Sequence, residues 1–456
     1  MDPPEKFADD LFAVPRGASR YYLYAPLRHA LAVVNRDAVA VVGRYLASGE
    51  AAMDGSGRGV IETLQKHGLI GGQIPAPPVF PHDYRFCPHE VTLFPTSRCN
   101  LRCRYCYANG GDHPADMPWE IARAAIDLVA RNAGLLGSPK FAVGFHGGGE
   151  PLLAWHLVRQ CVEHAQRAAE DRGLKAEFFA ATNGLLQPGQ MEFVARYFTT
   201  VNVSLDGPPD IQDRNRPRAD GGGSYAGVEK TLRYFDDVGF AYGFRATVSA
   251  ATVKRSAEIV EHLATRFHPR YIHLEPLWMC GRCATSGETP PREEEFADCF
   301  LEAVAAGRAR GIDIVYSGAR INVLTSKFCA AAGDGFNVLP QGIVTSCYEA
   351  VDPADPKDAL FQYGRYDRDS QAFAFDEDKR MRLQALAVEN LEHCRDCFCK
   401  WHCAGDCLSK VFARSGRPVH EGSSRCRMNR ELTLRHLDRL VAEAGATAPE
   451  EEGART

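Results

Sequence analysis

The 456-residue chain has no long hydrophobic run. None of its apolar stretches approaches the ~18 to 20 residues of a membrane-spanning helix. Its start, Met1-Asp-Pro-Pro-Glu-Lys, has no basic segment followed by an apolar one, so no secretory signal is read there. A basic excess is also missing: 53 Lys and Arg against 58 Asp and Glu leave a net charge of −5, which excludes the clustered positive surface of a nucleic-acid binder. The expectation is a cytoplasmic protein with neither a membrane nor a nucleic acid as partner. Cysteine is absent from the first 86 residues, yet sixteen follow. Structural disulfides are rare in a reducing compartment, so metal or cluster ligation is the leading explanation for them.

The length implies two or three domains. Residues 1–86 read as a small α+β domain, with strands at Tyr21–Leu27 and Ala30–Val34 and helices at Arg36–Ala47 and Val60–Leu69. A proline-rich linker, Ile74–Pro81, closes it. From Val91 the pattern alternates. Strands are expected at Val91–Pro95, Phe141–Phe145, Phe178–Thr182, Val201–Leu205, Tyr242–Val248 and Tyr271–Leu274. Helices are expected at Trp119–Asn132, Trp155–Asp171, Gln190–Tyr197, Gly227–Val238, Ala257–Phe267 and Arg292–Ala309. Such alternation argues an α/β fold, a parallel sheet with crossover helices over 87–315. In barrels of this kind the chemistry lies at the C-terminal strand ends. Residues 316–440 lose the alternation and hold eight cysteines. Residues 441–456, rich in Glu, Ala and Gly, read as a disordered tail.

The sharpest motif is Cys99-Asn-Leu-Arg-Cys103-Arg-Tyr-Cys106, directly after the first strand of the alternating region. Three thiolates at this spacing cap three irons of a [4Fe–4S] cube and leave the fourth open. Zinc sites come as C-x2-4-C pairs with a second pair further on, which a lone C-x3-C-x2-C does not match. The motif, with Tyr105 before its last cysteine, resembles that of the radical S-adenosylmethionine (radical SAM) superfamily. The resemblance implies an open, partial (β/α)6 TIM-like barrel, a cluster on Cys99, Cys103 and Cys106, and S-adenosylmethionine on the open iron.

Further motifs fall at the expected strand ends. His146-Gly-Gly-Gly-Glu150-Pro resembles the superfamily's GGE motif, which implies that Gly148, Gly149 and Glu150 bind the methionine amino group through their backbone. Asn183, in Thr182-Asn183-Gly184, is either a cofactor contact or an Asn-Gly turn. Ser204-Leu-Asp206-Gly-Pro followed by Arg216 resembles the peptide-modifying branch, where the serine and arginine reach the ribose and carboxylate of S-adenosylmethionine. Asp206 itself reads as a cap of the following turn. Leu277, just past the sixth strand, joins the cofactor set. Arg245, Glu275 and Glu349 are the candidate catalytic residues on the substrate side. Arg245 and Glu275 also have a structural reading, as a pair with each other, since a charge pointing into a barrel is costly to leave unpaired.

The C-terminal cysteines read Cys329-x12-Gly-x4-Cys347, then Cys394-x2-Cys397-x5-Cys403-x3-Cys407, then Cys426. This resembles the SPASM domain, which implies one auxiliary cluster on Cys329, Cys347 and Cys407 and another on Cys394, Cys397, Cys403 and Cys426. Relatives with a further ligand carry it about six residues after the first cysteine; here that residue is Gly335. Cys399 is a spare. Cys280-Gly-Arg-Cys283 reads as a substrate-relay thiol pair, as an extra ligand, or as incidental. The N-terminal block resembles the winged-helix recognition elements of enzymes that modify ribosomal peptides, or is a simple cap. Together these resemblances imply a RiPP maturase, an oxidoreductase that cross-links a precursor peptide bearing a leader, fed by a reductase, flavodoxin or ferredoxin. The alternatives are an anaerobic sulfatase-maturating enzyme and a non-catalytic iron–sulfur carrier.

Overall fold

The computed structural model describes residues 4–7, 10–49, 54–78, 85–320, 323–352, 354–417 and 419–447. The chain opens with an antiparallel sheet of β1 (Glu5–Lys6), β2 (Phe12–Arg16), β3 (Arg20–Ala25) and β4 (Ala30–Asn35), in that spatial order. Helices Arg36–Ser48 and Gly55–Lys66 follow. Each starts at a side-chain cap, Asn35 accepting from Ala38 N and Asp54 from Gly57 N. Strand alternation gives the sheet two apolar faces. Ala13, Leu23 and Ala25 pack on Val39, Val42, Ile61 and Leu64 of the helices. Phe12, Val14, Tyr22 and Tyr24 pack on Phe398, Leu434 and Leu437 near the C-terminus. Strands β1 and β2 are additional to those expected. Pro15 hides β2, and it is tolerated because β1 pairs only with Phe12 and Ala13, leaving that end of β2 an edge.

The central sheet begins with seven parallel strands in sequential order: β5 (Glu90–Leu93), β6 (Lys140–Phe145), β7 (Lys175–Thr182), β8 (Thr200–Ser204), β9 (Tyr242–Val248), β10 (Tyr271–Pro276) and β11 (Asp313–Val315). The six long crossover helices lie at 119–135, 155–170, 188–197, 225–237, 256–266 and 293–308. Every strand and helix expected from Val91 to Ala309 is present, with ends moved by a few residues. Among the described residues the sheet does not close on itself. Beyond β5 it continues with β12 (Asn337–Val338), parallel to β5, and then antiparallel β13 (Ile343–Thr345), β14 (Gln362–Asp367) and β15 (Ala372–Phe375). The cysteine-rich region is thus hydrogen-bonded into the same eleven-stranded sheet.

A helix from Ser424 to Thr447 replaces the expected disorder of 441–447. Its last turns are rich in alanine and hold a pair of opposite charges one turn apart, Arg439 with Glu443. The remainder of that tail, and 79–81 of the expected linker, lie outside the described residues. No described helix is long and apolar enough to cross a membrane.

Candidate active site

The three-cysteine loop follows β5 and is held by backbone rather than by its sulfurs. Arg102 N donates to Pro217 O at 2.8 Å, Arg104 N to Asn215 O at 2.9 Å, and Ala219 N to Asn100 O at 2.9 Å. Cys99 Sγ accepts from Leu101 N at 3.4 Å, and Cys106 Sγ from Gly110 N at 3.3 Å. Burial pushes the Cys99 thiol up to about 11 and the Cys103 thiol up to about 12. Sulfurs so placed are poor isolated anions, and a bound cationic cluster would make thiolates of them. Among the described residues, no three His, Cys, Asp or Glu side chains converge as one shared metal ion needs. A cube does not ask for that, because each thiolate binds its own iron.

The end of β6 presses directly on this loop. A Cβ at Gly149 would lie 2.1 Å from Arg98 O, and one at Gly110 would lie 2.6 Å from Gly148 O. Glu150 N donates to Arg98 O at 2.8 Å. The Glu150 side chain turns away into the core, accepting from Thr182 Oγ1 (2.9 Å), Asn183 N (2.7 Å) and Leu152 N (3.1 Å). Burial pushes its carboxyl up to about 7, against these donors. What this segment offers a ligand is therefore Gly148 and backbone. Asn183 serves both the site and its own turn: its Nδ2 donates to Asn100 Oδ1 on the cysteine loop at 2.7 Å, and its Oδ1 accepts from Leu185 N at 3.0 Å.

Asp206 is the hub of the opposite side, a role the turn-cap reading missed. It is fully buried and accepts from Arg216 Nε (3.1 Å) and Nη2 (3.0 Å), Asn215 Nδ2 (3.1 Å), Thr247 N (3.0 Å) and the Tyr105 hydroxyl. Arg216 also lies over the Tyr105 ring, 5.3 Å from its centroid. One acceptor thus fixes the cysteine loop, the segment after β8 and the end of β9. It also commits two of the three guanidinium nitrogens of Arg216, leaving Nη1 for a ligand. Ser204 ends β8 in register with Arg245, half-buried, with no side-chain partner among the described residues. Leu277 is buried, its N–H on Val248 O at 2.8 Å.

On the substrate side the structure redistributes the expected roles. Glu275 is not a free base. Its carboxylate accepts from Lys410 (3.3 Å), Arg425 (3.1 Å), Ser317 (2.6 Å) and His273 Nε2 (3.0 Å). Burial opposes its ionisation, but Lys410 and Arg425 override this and hold it well below the usual carboxylate range. It is a buried tie between β10 and the C-terminal region. Arg245 does not pair with it directly; its Nη1 donates to His273 Nδ1 at 3.2 Å, so the histidine stands between them. Arg245 remains exposed, and Glu349 is about three-quarters buried with Lys410 at 3.8 Å. His146 is stacked on Tyr348 at 4.8 Å, and burial lowers it to about 4.

The Cys280–Cys283 loop acts through the residues between its cysteines. Gly281 has φ +51°, and a Cβ there would meet Cys106 O at 2.3 Å. Arg282 N donates to Cys106 O at 2.9 Å; its Nη1 donates to Cys103 O (3.0 Å), and its Nη2 to Gly110 O (3.2 Å) and Asp112 (2.9 Å). Reading the motif for its thiols misses this clamp; an Arg two residues after a strand-end Trp-Met-Cys carries no signal of its own. Arg282→Ala should cost about 2 kcal/mol, as lost hydrogen bonds of a charged group do. Iron retention by the cysteine loop should fall with it, while Cys280→Ser leaves both unchanged. Urea unfolding and iron assay check this.

The C-terminal thiols influence one another electrostatically across their burial sites. Cys347 interacts electrostatically with Cys329 and Cys407. Cys403 interacts with Cys394, Cys397 and Cys426. Cys329 keeps accessible surface, yet burial of its sulfur raises the thiol. Asn429 Nδ2 donates to Cys403 Sγ at 3.0 Å in the core. The spare Cys399 lies 3.4 Å from Cys397, sulfur to sulfur.

Comparison with known proteins bears on part of the chain. Residues 93–253 match the Radical SAM superfamily. The chain carries a radical SAM domain. The superfamily uses a [4Fe–4S] cluster and S-adenosylmethionine, and its members are enzymes. Over 395 residues the chain is 26% identical to an uncharacterized protein of Archaeoglobus fulgidus, covering 78% of this chain and 83% of that protein. It is 23% identical to the serine-type anaerobic sulfatase-maturating enzyme of Klebsiella aerogenes, covering 72% and 81%. Against the cysteine-type enzyme of Clostridium perfringens the match, at 25% identity, spans 38% of this chain and about half (48%) of that protein. Among solved structures, anSMEcpe with bound AdoMet superposes with a TM-score of 0.63 at 18% identity, covering 80% of this chain and 97% of that one. Streptococcus suis SuiB bound to precursor peptide SuiA gives 0.53 at 15%, covering 81% and 79%. These likenesses show a shared fold with SPASM-type radical SAM enzymes.

Proposed function

We propose that this protein is a radical SAM/SPASM maturase that modifies a ribosomal precursor peptide, installing a thioether or another side-chain cross-link. The observation that carries this reading is the N-terminal sheet. Strand β4 pairs only with β3 among the described residues, so its outer edge is an unpaired row of backbone donors and acceptors. Beside it a groove of ≈ 890 Å³ runs along β4 and helix Gly55–Lys66, lined by Val33, Asn35, Val60, Thr63 and His67. An extended leader peptide adds to such an edge as a further strand. The S-adenosylmethionine-bound form of SuiB, whose fold covers 89% of this chain against 80% for anSMEcpe, supports the same reading.

In this reading Cys99, Cys103 and Cys106 hold the first cluster, and Cys329, Cys347 and Cys407 with Cys394, Cys397, Cys403 and Cys426 hold auxiliary ones. When bound, the cluster and S-adenosylmethionine would supply radical chemistry able to take a hydrogen atom from an unactivated carbon, with an external reductase, flavodoxin or ferredoxin as electron source. The Gly148–Glu150 backbone receives the methionine amino group, Arg216 Nη1 and Ser204 the remaining polar groups. Asp206 holds Arg216 in place, and Arg245 lines the substrate face.

Sulfatase maturation is the second reading, favoured by the match to the Klebsiella enzyme over 72% of this chain and 81% of that one. Anaerobic incubation with the precursor peptide encoded beside the gene, the same peptide without its leader, and a sulfatase-motif peptide separates the two by mass spectrometry. The proposal expects loss of hydrogen from the full precursor and little change in the leaderless form. Consumption of the sulfatase peptide alone would overturn it.

A further inference from the structure

The first auxiliary set, Cys329, Cys347 and Cys407, has three thiols for four irons. Gly335 occupies the position from which a fourth thiol is expected, and its surroundings forbid one. A Cβ there would lie 2.5 Å from Ser346 O, 3.2 Å from Ser346 C and 3.1 Å from Asn337 Nδ2. The backbone cannot yield to make room. Gly335 N donates to Ala330 O at 2.8 Å, and Gly335 O accepts from the buried Tyr363 hydroxyl at 2.7 Å. Ser346 in turn precedes Cys347, so shifting it shifts a ligand.

Another donor stands beside the same three thiols. Glu349 lies two residues after Cys347, and its N–H donates to Cys347 Sγ at 3.4 Å. Its carboxylate interacts electrostatically with Cys329, Cys347 and Cys407 together. Among the described residues it accepts no hydrogen bond. Among the described residues the cation within 4 Å of it is Lys410, which is 3.8 Å away and closer to Glu275, at 3.3 Å. A carboxylate that is three-quarters buried with no hydrogen bond is costly unless something else binds it. We propose that the Glu349 carboxylate is the fourth ligand of the auxiliary cluster held by Cys329, Cys347 and Cys407. This rests on the auxiliary-cluster reading of the preceding section. It moves Glu349 from a candidate catalytic residue to a ligand. It also gives that cluster one hard oxygen donor among soft sulfurs, a ligand less well matched to iron–sulfur sites than thiolate.

The test uses the full-length, anaerobically reconstituted protein, with S-adenosylmethionine saturating the first cluster's open iron and ¹³C-cyanide as the probe for any other. In the reduced wild type, EPR and ENDOR should show no cyanide coupling at an auxiliary cluster. Glu349→Ala should gain that coupling, and Glu349→Cys should lose it again while shifting the g-values towards an all-thiolate cluster. Should Glu349→Ala shed the cluster altogether, recovery of the iron in Glu349→Cys supports the ligand role, and its failure to recover overturns it. Cyanide coupling in the wild type, or identical spectra for wild type and Glu349→Ala, also overturns it. Cys329→Ala provides the separate control. It should lose roughly four irons; if it keeps them, the auxiliary-cluster reading itself has failed, whatever Glu349 does.

Discussion

Cys103→Ala is expected to abolish reductive cleavage of S-adenosylmethionine while leaving the fold intact. Cys103 is partly buried, and desolvation of its sulfur raises the thiol to about 12. Without a cluster to bind, it is a neutral, replaceable group. Neighbouring backbone bonds hold the loop whether or not the sulfur is present: Arg102 N to Pro217 O and Arg104 N to Asn215 O. Cysteine to alanine at this site removes one sulfur, so the expected stability change is small, on the order of 1 kcal/mol. Chemistry is affected differently. Two thiolates cannot present a cube with a single open iron, so 5′-deoxyadenosine should fall to the background of protein-free controls. Circular dichroism and urea unfolding report the first part, chromatography of the reaction mixture the second. Full activity in Cys103→Ala would remove the loop from the mechanism.

Asp206→Ala should produce the largest structural effect of any single substitution at the site. Five donors meet on this carboxylate, and the arginine among them is itself buried. Removing one partner of a buried ion pair costs about 3–5 kcal/mol because the other charge is left uncompensated. A domain has about 5–15 kcal/mol in total, so the denaturation midpoint should fall steeply. Iron on the cysteine loop should fall too, since Tyr105 and Arg216 lose their common anchor. Asp206→Asn keeps the shape and some acceptors but not the charge, and should be intermediate. A midpoint for Asp206→Ala within experimental scatter of the wild type would show that the hub does not hold the site.

Local pattern in the chain announced the barrel, because its strands are short apolar runs and its helices carry apolar stripes. What it hid has physical reasons. Strand β11 is three residues long, one of them Asp313, and its exposed ends give no apolar run. Pro15 disguises β2. The helix through Thr447 is drawn from residues whose composition resembles a tail but whose propensity is helical. At the site, the cysteines and glycines were legible because their chemistry or size admits few substitutes. The charged residues were visible only as candidates. Glu275 stands at a strand end, but the partners that neutralise it, Lys410 and Arg425, lie 135 and 150 residues away. Asp206 looks like a turn residue until Tyr105, from 101 residues earlier, reaches it. In Cys280–Cys283 the thiols drew attention, whereas Gly281 and Arg282 make the contacts.

The central claim is that this chain cleaves S-adenosylmethionine to a radical at the strand-end site. Anaerobic incubation of the reconstituted protein with S-adenosylmethionine and dithionite tests it most directly. The account predicts 5′-deoxyadenosine and methionine in equal amounts, formed by the wild type and absent with Cys103→Ala. A wild-type protein with its full complement of iron that forms no 5′-deoxyadenosine would contradict it.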